Sequence, residues 1–188
     1  MKKEQENMHM GHAYVDMGLR VKWATCNVGA FNPGDHGNYY AWGETETKQS
    51  YTDNNCATWK KEVDDIGGTS RDVAHAEWGG GWRMPTRAEL EELSDEDNCT
   101  WEWTTQDGHK GYKVRSKKTG NWIFLPAAGC RHGMPLYAGE WGEYWSSQPY
   151  ENYTQEDALI LRFNSGHRGT IWSRWRWRGQ PVRPVGEF

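Results

Sequence analysis

Residues 171–185 read Ile-Trp-Ser-Arg-Trp-Arg-Trp-Arg-Gly-Gln-Pro-Val-Arg-Pro-Val. Trp172, Trp175 and Trp177 are interleaved with Arg174, Arg176 and Arg178 before Gly179 breaks the run and a Pro-Val-Arg-Pro-Val segment follows. Tryptophan and arginine are among the side chains most enriched at binding hot spots, because each joins a large planar contact area to a polar handle. Six such residues in the seven positions 172–178 cannot all point into a core. At least one face of the segment is therefore expected to be exposed, and to be aromatic, basic or both. The competing expectation is that the tryptophans pack as core residues of a Trp-rich fold.

The remaining composition narrows the class. A chain of 188 residues suits one domain with a full core. With 13 Trp, 9 Tyr, 22 Gly and a mean hydropathy of -1.00, aromatic rings rather than aliphatic chains must supply most of the buried area. Disordered chains share the low hydropathy but are poor in aromatics, so disorder is rejected. The net charge is -4, yet Arg162, Arg168, Arg174, Arg176, Arg178 and Arg183 make the C-terminal end locally basic. No basic stripe runs through the rest, so nucleic acid is not a favoured partner. Cys26, Cys56, Cys99 and Cys130 lack the close paired spacing of a zinc site and are compatible with zero, one or two disulfides. No cofactor or metal is expected. The first dozen residues are polar, so no signal peptide is visible, and no apolar run is long enough for membrane insertion.

Along the chain, residues 1–12 read as a disordered arm and residues 13–188 as a single ligand-binding domain. Strand-like runs start at Tyr14–Leu19 and Val21–Ala24, where Val21 and Trp23 alternate with Lys22. Asn32-Pro33-Gly34-Asp35 is a turn, Tyr39–Gly43 a short aromatic strand, and 44–70 a long surface loop. A short helix is predicted over Ser70–Trp78 with Ser70 as its cap, ended by Gly79-Gly80-Gly81. A second follows a Thr86/Glu89 capping box, with Leu90 and Leu93 at helical spacing. After Asp97 the texture is all β: Trp101 and Trp103, Gly111–Val114, a Thr119-Gly120-Asn121 turn into Trp122–Leu125, then Tyr144–Ser147 and Ala158–Phe163. In the last of these, Leu159, Leu161 and Phe163 share one face and Ala158, Ile160 and Arg162 the other. Pro181–Val185 closes the chain. The sum is an α+β domain with two helices and several short twisted antiparallel strands.

No hydrolytic motif appears. His36, His75, His109, His132 and His167 show no HExxH spacing, and there is no GxSxG. Glu89, Glu91, Glu92 and Asp95–Asp97 are expected on a solvated helix face rather than as paired catalytic carboxylates. The chain is therefore not expected to be an enzyme.

Several segments taken together resemble a known family. Tyr14-Val15-Asp16, Gly18-Leu19, Val21–Ala30, Trp78–Thr86, Phe124–Gly129, Tyr144–Ser147, Phe163–Gly166 and Val182–Val185 are similar, in order, to the Fibrobacter major paralogous domain found widely in gut Bacteroidetes. The resemblance implies a C-type lectin-like fold, shared with formylglycine-generating enzymes and with the variable proteins of diversity-generating retroelements. In the variable proteins, adenine mutagenesis rewrites codons near the 3′ end of the gene, and the altered side chains are displayed above an unaltered last strand. By that resemblance Gly179–Val185 is the fixed end, and the binding surface lies between about Tyr150 and Arg178.

The expected ligand-binding residues are Tyr150, Tyr153, Ile160, Arg162, His167, Arg168, Ile171, Trp172, Arg174, Trp175, Trp177 and Arg178. Adenine replacement does not turn an Asn codon into a Trp codon. The tryptophans are thus expected either from Lys- or Arg-type template codons or as a fixed floor, and on the second reading Ile160, Arg162, His167, Ile171 and Arg178 vary. The implied partner is a protein or glycan ligand on a cell surface, and the implied location is outward-facing, on a bacterial cell or a phage virion. Two alternatives are weighed. A copper-dependent formylglycine-generating oxidase would need a cysteine pair, for which Cys99 and Cys130 are the candidates. A calcium-dependent lectin would need a carboxylate where Gln148-Pro149-Tyr150 has tyrosine, which leaves metal-independent sugar binding as the surviving lectin reading.

Overall fold

The computed structural model describes residues 7–188, which form an α+β fold of two helices and antiparallel sheets. β1 (Asn7–His9), β2 (His12–Val15) and β3 (Lys22–Ala24) join the C-terminal β12 (Val185–Gly186) in a four-stranded sheet. β4 (Cys99–Gln106), β5 (His109–Ser116) and β6 (Trp122–Pro126) form a meander. β7 (Cys130–Arg131) and β8 (Pro135–Leu136) make a short ribbon. β9 (Trp141–Pro149), β10 (Asp157–Asn164) and β11 (His167–Trp175) form the sheet that carries the site, with β11 at its edge.

Three sequence expectations are corrected at the N-terminal side. Residues 7–12 are not an arm: β1 and β2 form a hairpin turned at Met10 and Gly11, both at positive φ. The hairpin is held by ring stacking rather than by aliphatic burial, His12 on Trp78 and His9 on Phe188, each at 3.6 Å. A polar composition hides such an anchor. Residues 1–6 of the expected arm lie outside the described residues. The segment 44–70 is likewise more than a surface loop, since it drives Tyr51 and Ile66 into the interior. Tyr39–Gly43 is buried but forms no regular strand: Tyr40 bridges Gln180, and the Trp42 N–H donates to the Arg176 carbonyl at 2.8 Å.

Helix α1 (Val73–Trp78) is capped by Asp72 rather than Ser70. A carboxylate has more acceptor sites than a hydroxyl, and Asp72 uses them on the N–H groups of Ala74, His75, Gly68 and Met84. Helix α2 (Arg87–Ser94) begins at the Thr86/Glu89 capping box, as the spacing predicts. Glu89, however, is buried and not on a solvated face. Arg83 grips it through a forked pair of hydrogen bonds, Nη1 to Oε2 at 2.9 Å and Nη2 to Oε1 at 2.6 Å.

Burial alone would raise the Glu89 carboxyl, but Arg83 and the Thr86 N–H outweigh it and hold the group below its ordinary value of 4.5. A depressed carboxylate stabilises the fold fully above that value, and the contribution is lost as pH falls through the lower, folded-state pKa. Glu89→Gln is therefore expected to cost about 2–3 kcal/mol at neutral pH, and the gap to wild type should narrow in acid. Urea melts of both proteins between neutral pH and pH 3 check this; a gap that stays constant would refute it.

The largest core lies between the β4–β6 sheet, α2 and one face of β10, and contains Trp23, Leu90, Leu93, Leu125, Leu161 and Phe163. A second contains Trp42, Ile66, Trp145, Ile160 and Val182, and a third contains Tyr39, Ala41, Tyr51 and Cys56. The C-terminal segment threads these together. Residues 179–186 are buried throughout, but only Val185–Gly186 forms a strand, because Pro181 and Pro184 have no N–H to give a ladder. Its carbonyls are used instead: Pro181, Val182 and Pro184 accept from the N–H groups of Trp145, Val28 and Ala24 at 3.2, 3.0 and 3.0 Å.

Candidate ligand-binding cleft

The register of the β9–β10–β11 sheet decides which side chains meet. Arg162 lies opposite Glu143 on one side, while Ile160 faces Trp172 and Ala158 faces Arg174 on the other. Residues directly opposite in an antiparallel pair project to the same side. One face therefore carries Glu143, Arg162, Trp172 and Arg174. Glu143 is buried and gripped by Arg174, whose Nη2 and Nε donate to Oε1 at 2.6 and 3.1 Å. Arg162 Nε lies 3.3 Å from the same oxygen, close enough for an ion pair but misdirected for a hydrogen bond, so this buried Nε is unpaired.

Aromatic rings order the cations. The Arg162 guanidinium sits 3.8 Å above the Trp141 ring and 5.9 Å from Trp172. Trp175 stacks on Trp177 with centroids 5.5 Å apart, and Arg178 lies over both rings, at 5.5 and 5.9 Å. Trp141, Arg162, Trp175 and Arg178 are among the residues that line an open cleft of about 430 Å³. β9 supplies Trp141 and Glu143, β10 supplies Asp157 and Arg162, and β11 supplies Ser173, Arg174 and Trp175; Tyr137 and Arg178 complete the lining. Burial, then the like charge of Arg174, pushes the Arg162 guanidinium below its ordinary value, and burial pushes the Asp157 carboxyl up. Both shifts mark a poorly solvated site in which charge is costly to hold unpaired.

The twelve sequence-predicted residues separate into groups. Arg162, Arg174, Trp175 and Arg178 line the cleft, and Trp172 stands beside it. Tyr150 and Tyr153 are exposed but line a different hollow, together with Glu62 and Asp64. His167 and Arg168 sit at the turn end of the β10–β11 hairpin, roughly 25 Å from Trp175 along the strand, and Arg168 pairs with Glu96 at 2.9 Å.

Three expectations are corrected. Ile160 is fully buried in the second core, because the C-terminal segment covers the face of β10 that alternation had assigned to display. Ile171 packs against the largest core. Trp177 is half-buried against the third core. Alternation identifies an exposed face only where one side of a sheet is solvated, and this sheet is covered on both sides along part of its length.

Trp141, Glu143 and Asp157 escaped the sequence reading. The signal was present: Glu143 is a charge within the otherwise apolar-aromatic run Trp141–Ser147, a pattern that calls for a buried cation. All four cysteines are free. Cys99 and Cys130 lie in different sheets, and burial pushes both thiols up, Cys99 to about 11. Among the described residues no three His, Cys, Asp or Glu side chains gather in a metal-holding group, and no helix is long and apolar enough to cross a membrane.

The architecture and the cleft define an α+β domain with an arginine- and tryptophan-lined recess at the edge of an antiparallel sheet. Comparison with family models, with curated proteins and with solved structures returned no match.

Proposed function

We propose that the chain is a ligand-binding display module of C-type lectin-like fold, related to the variable proteins of diversity-generating retroelements. It binds a macromolecular partner on a cell surface through its C-terminal face, works outside the cell on a bacterial surface or a phage virion, and needs neither catalysis nor a cofactor. The observation that carries the reading is the pairing of Trp172 and Trp175, 54% and 46% exposed, with the arginine-lined cleft. Tryptophan and arginine are among the side chains most enriched at binding hot spots. The buried segment 179–186 supports the division into a fixed end and a displayed surface. With Ile160 and Ile171 withdrawn into cores, Arg162, His167 and Arg178 are the positions at which variation would alter the surface while sparing the fold.

A second reading, metal-independent sugar binding, is favoured by one observation: no aliphatic side chain lines the cleft. One experiment tests the binding face itself. Fluorescently labelled protein is applied to intact bacterial cells, alongside the variant carrying Trp172→Ala and Trp175→Ala. Loss of two hot-spot rings is expected to weaken binding more than about 100-fold, with stability changed by no more than about 1 kcal/mol. Undiminished cell binding by the double variant would overturn the proposal.

A further inference from the structure

We infer that the cleft between Trp141 and Trp175 is a subsite for a single negative charge carried on a sugar ring, a uronate or a sugar sulfate within a cell-surface glycan. The inference rests on the C-terminal face being the binding face, and it names the chemistry that face recognises.

Charge bookkeeping sets the ligand's valence. Arg162, Arg174 and Arg178 face two carboxylates, Glu143 and Asp157, which leaves one formal positive charge in excess. Glu143 is consumed by Arg174 and Arg162, and Asp157 Oδ2 accepts from Asn152 Nδ2 at 3.2 Å. Arg178 pairs with no carboxylate among the described residues, and its Nε is buried without a hydrogen-bond acceptor. A half-buried guanidinium, oriented by the rings of Trp175 and Trp177, is a preformed fork for an oxyanion. A phosphate monoester, at about -1.5 to -2 charge, would overfill a site that lacks one charge and already holds two carboxylates. A carboxylate or a sulfate ester fits.

The walls select the rest of the ligand. Trp175 is half-exposed at the mouth and offers an aromatic surface to the apolar side of a sugar ring. An acidic peptide would anchor itself by apolar side chains, and the lining gives them no aliphatic pocket. The volume of about 430 Å³ lies at the small end of the roughly 300–1,000 Å³ usual for small-ligand sites, which suits sugar units rather than a long chain.

Calorimetric titration tests the inference with methyl glucuronide, glucose 6-sulfate and neutral methyl glucoside. One or both acidic sugars should bind about tenfold or more tightly than the neutral one, and the two acidic arms separate uronate from sulfate. Arg178→Gln should abolish that advantage while the melting temperature stays within a few degrees, and Arg178→Lys should retain part of it. Equal binding of all three sugars, or an unaltered preference in Arg178→Gln, would overturn the inference. So would an acidic hexapeptide that outcompetes the sugars, because it would assign the cleft to a protein partner. If neither acidic sugar binds at about 10 mM while the tryptophan double variant loses cell binding, the subsite is wrong and the binding face stands. If an acidic sugar binds but the tryptophans are dispensable on cells, the charge subsite stands and the assignment of cell binding to the tryptophans fails.

Discussion

Replacing Arg183 by Met is expected to lower the stability of this protein by about 3 kcal/mol or more, among the largest losses any single substitution here would cause. Arg183 is buried, and among the described residues it has no carboxylate partner. Its donors go to neutral acceptors in three directions: Nε to Asn27 Oδ1 at 2.8 Å, Nη1 to the Ala24 carbonyl at 3.2 Å, and Nη2 to the Phe124 carbonyl at 2.9 Å. Asn27 in turn donates to the Tyr144 hydroxyl at 3.2 Å, and that hydroxyl donates to the Pro126 carbonyl at 2.7 Å. The guanidinium thereby fastens the C-terminal segment to β3, to the loop after it and to β6.

Two effects oppose each other in Arg183→Met. Removing a buried charge relieves its desolvation, which pushes the guanidinium below its ordinary value. Against this, three buried acceptors are orphaned at about 1–3 kcal/mol each, and Met cannot satisfy any of them. Because the acceptors belong to a rigid backbone and a buried Asn, they cannot turn to water, so the second effect wins. Arg183→Lys should recover only part of the loss, since one ammonium cannot span three separated acceptors. Urea denaturation of the three proteins measures this, and a Met variant as stable as wild type would refute it.

The same residue shows what a sequence can and cannot disclose. Elements with local causes were legible: the Thr86/Glu89 capping box and the Thr119-Gly120-Asn121 turn both lie where spacing and turn chemistry put them. Features caused by distant partners were not. Nothing near Arg176 in the chain predicts that it is buried under Trp42, donating to the carbonyls of Thr58, Lys61 and Asp157. Arg176 and Arg183 look like surface cations in the sequence because their acceptors, one Asn27 amide oxygen apart, are backbone carbonyls, which every residue has and no motif marks. The cleft was half legible for the same reason. Its β11 side follows from the Trp/Arg run, whereas Trp141 and Glu143 enter only because the β9–β10 register brings them opposite Asn164 and Arg162.

The tryptophan run separates into rings that hold the fold and rings that await a partner, and the separation predicts opposite results for neighbouring residues. Trp177→Ala is expected to cost about 2–3 kcal/mol, somewhat below the 3–5 kcal/mol usual for a fully buried aromatic, because the ring is only half-buried. Its inner side packs on Tyr39, Ala41, Tyr51 and Cys56, and the His132 ring meets it edge-on at 4.8 Å. Gly179 shows how closely this corner is filled, since a Cβ there would meet the Tyr51 ring at 2.9 Å. Trp172→Ala, five positions earlier in the chain, removes a ring that is 54% exposed and should change stability by no more than about 0.5 kcal/mol. Trp175 falls between them, exposed at the mouth of the cleft but stacked on Trp177, so its loss should weaken binding strongly and stability slightly. A variant lacking all three rings would confound the two roles, because a poorly folded protein also fails to bind. The single variants, each measured by urea denaturation and by binding to cells, keep them apart. A Trp177→Ala protein as stable as Trp172→Ala would mean that the third core does not depend on the run. A Trp172→Ala protein as destabilised as Trp177→Ala would return that ring to the interior and remove it from the binding face.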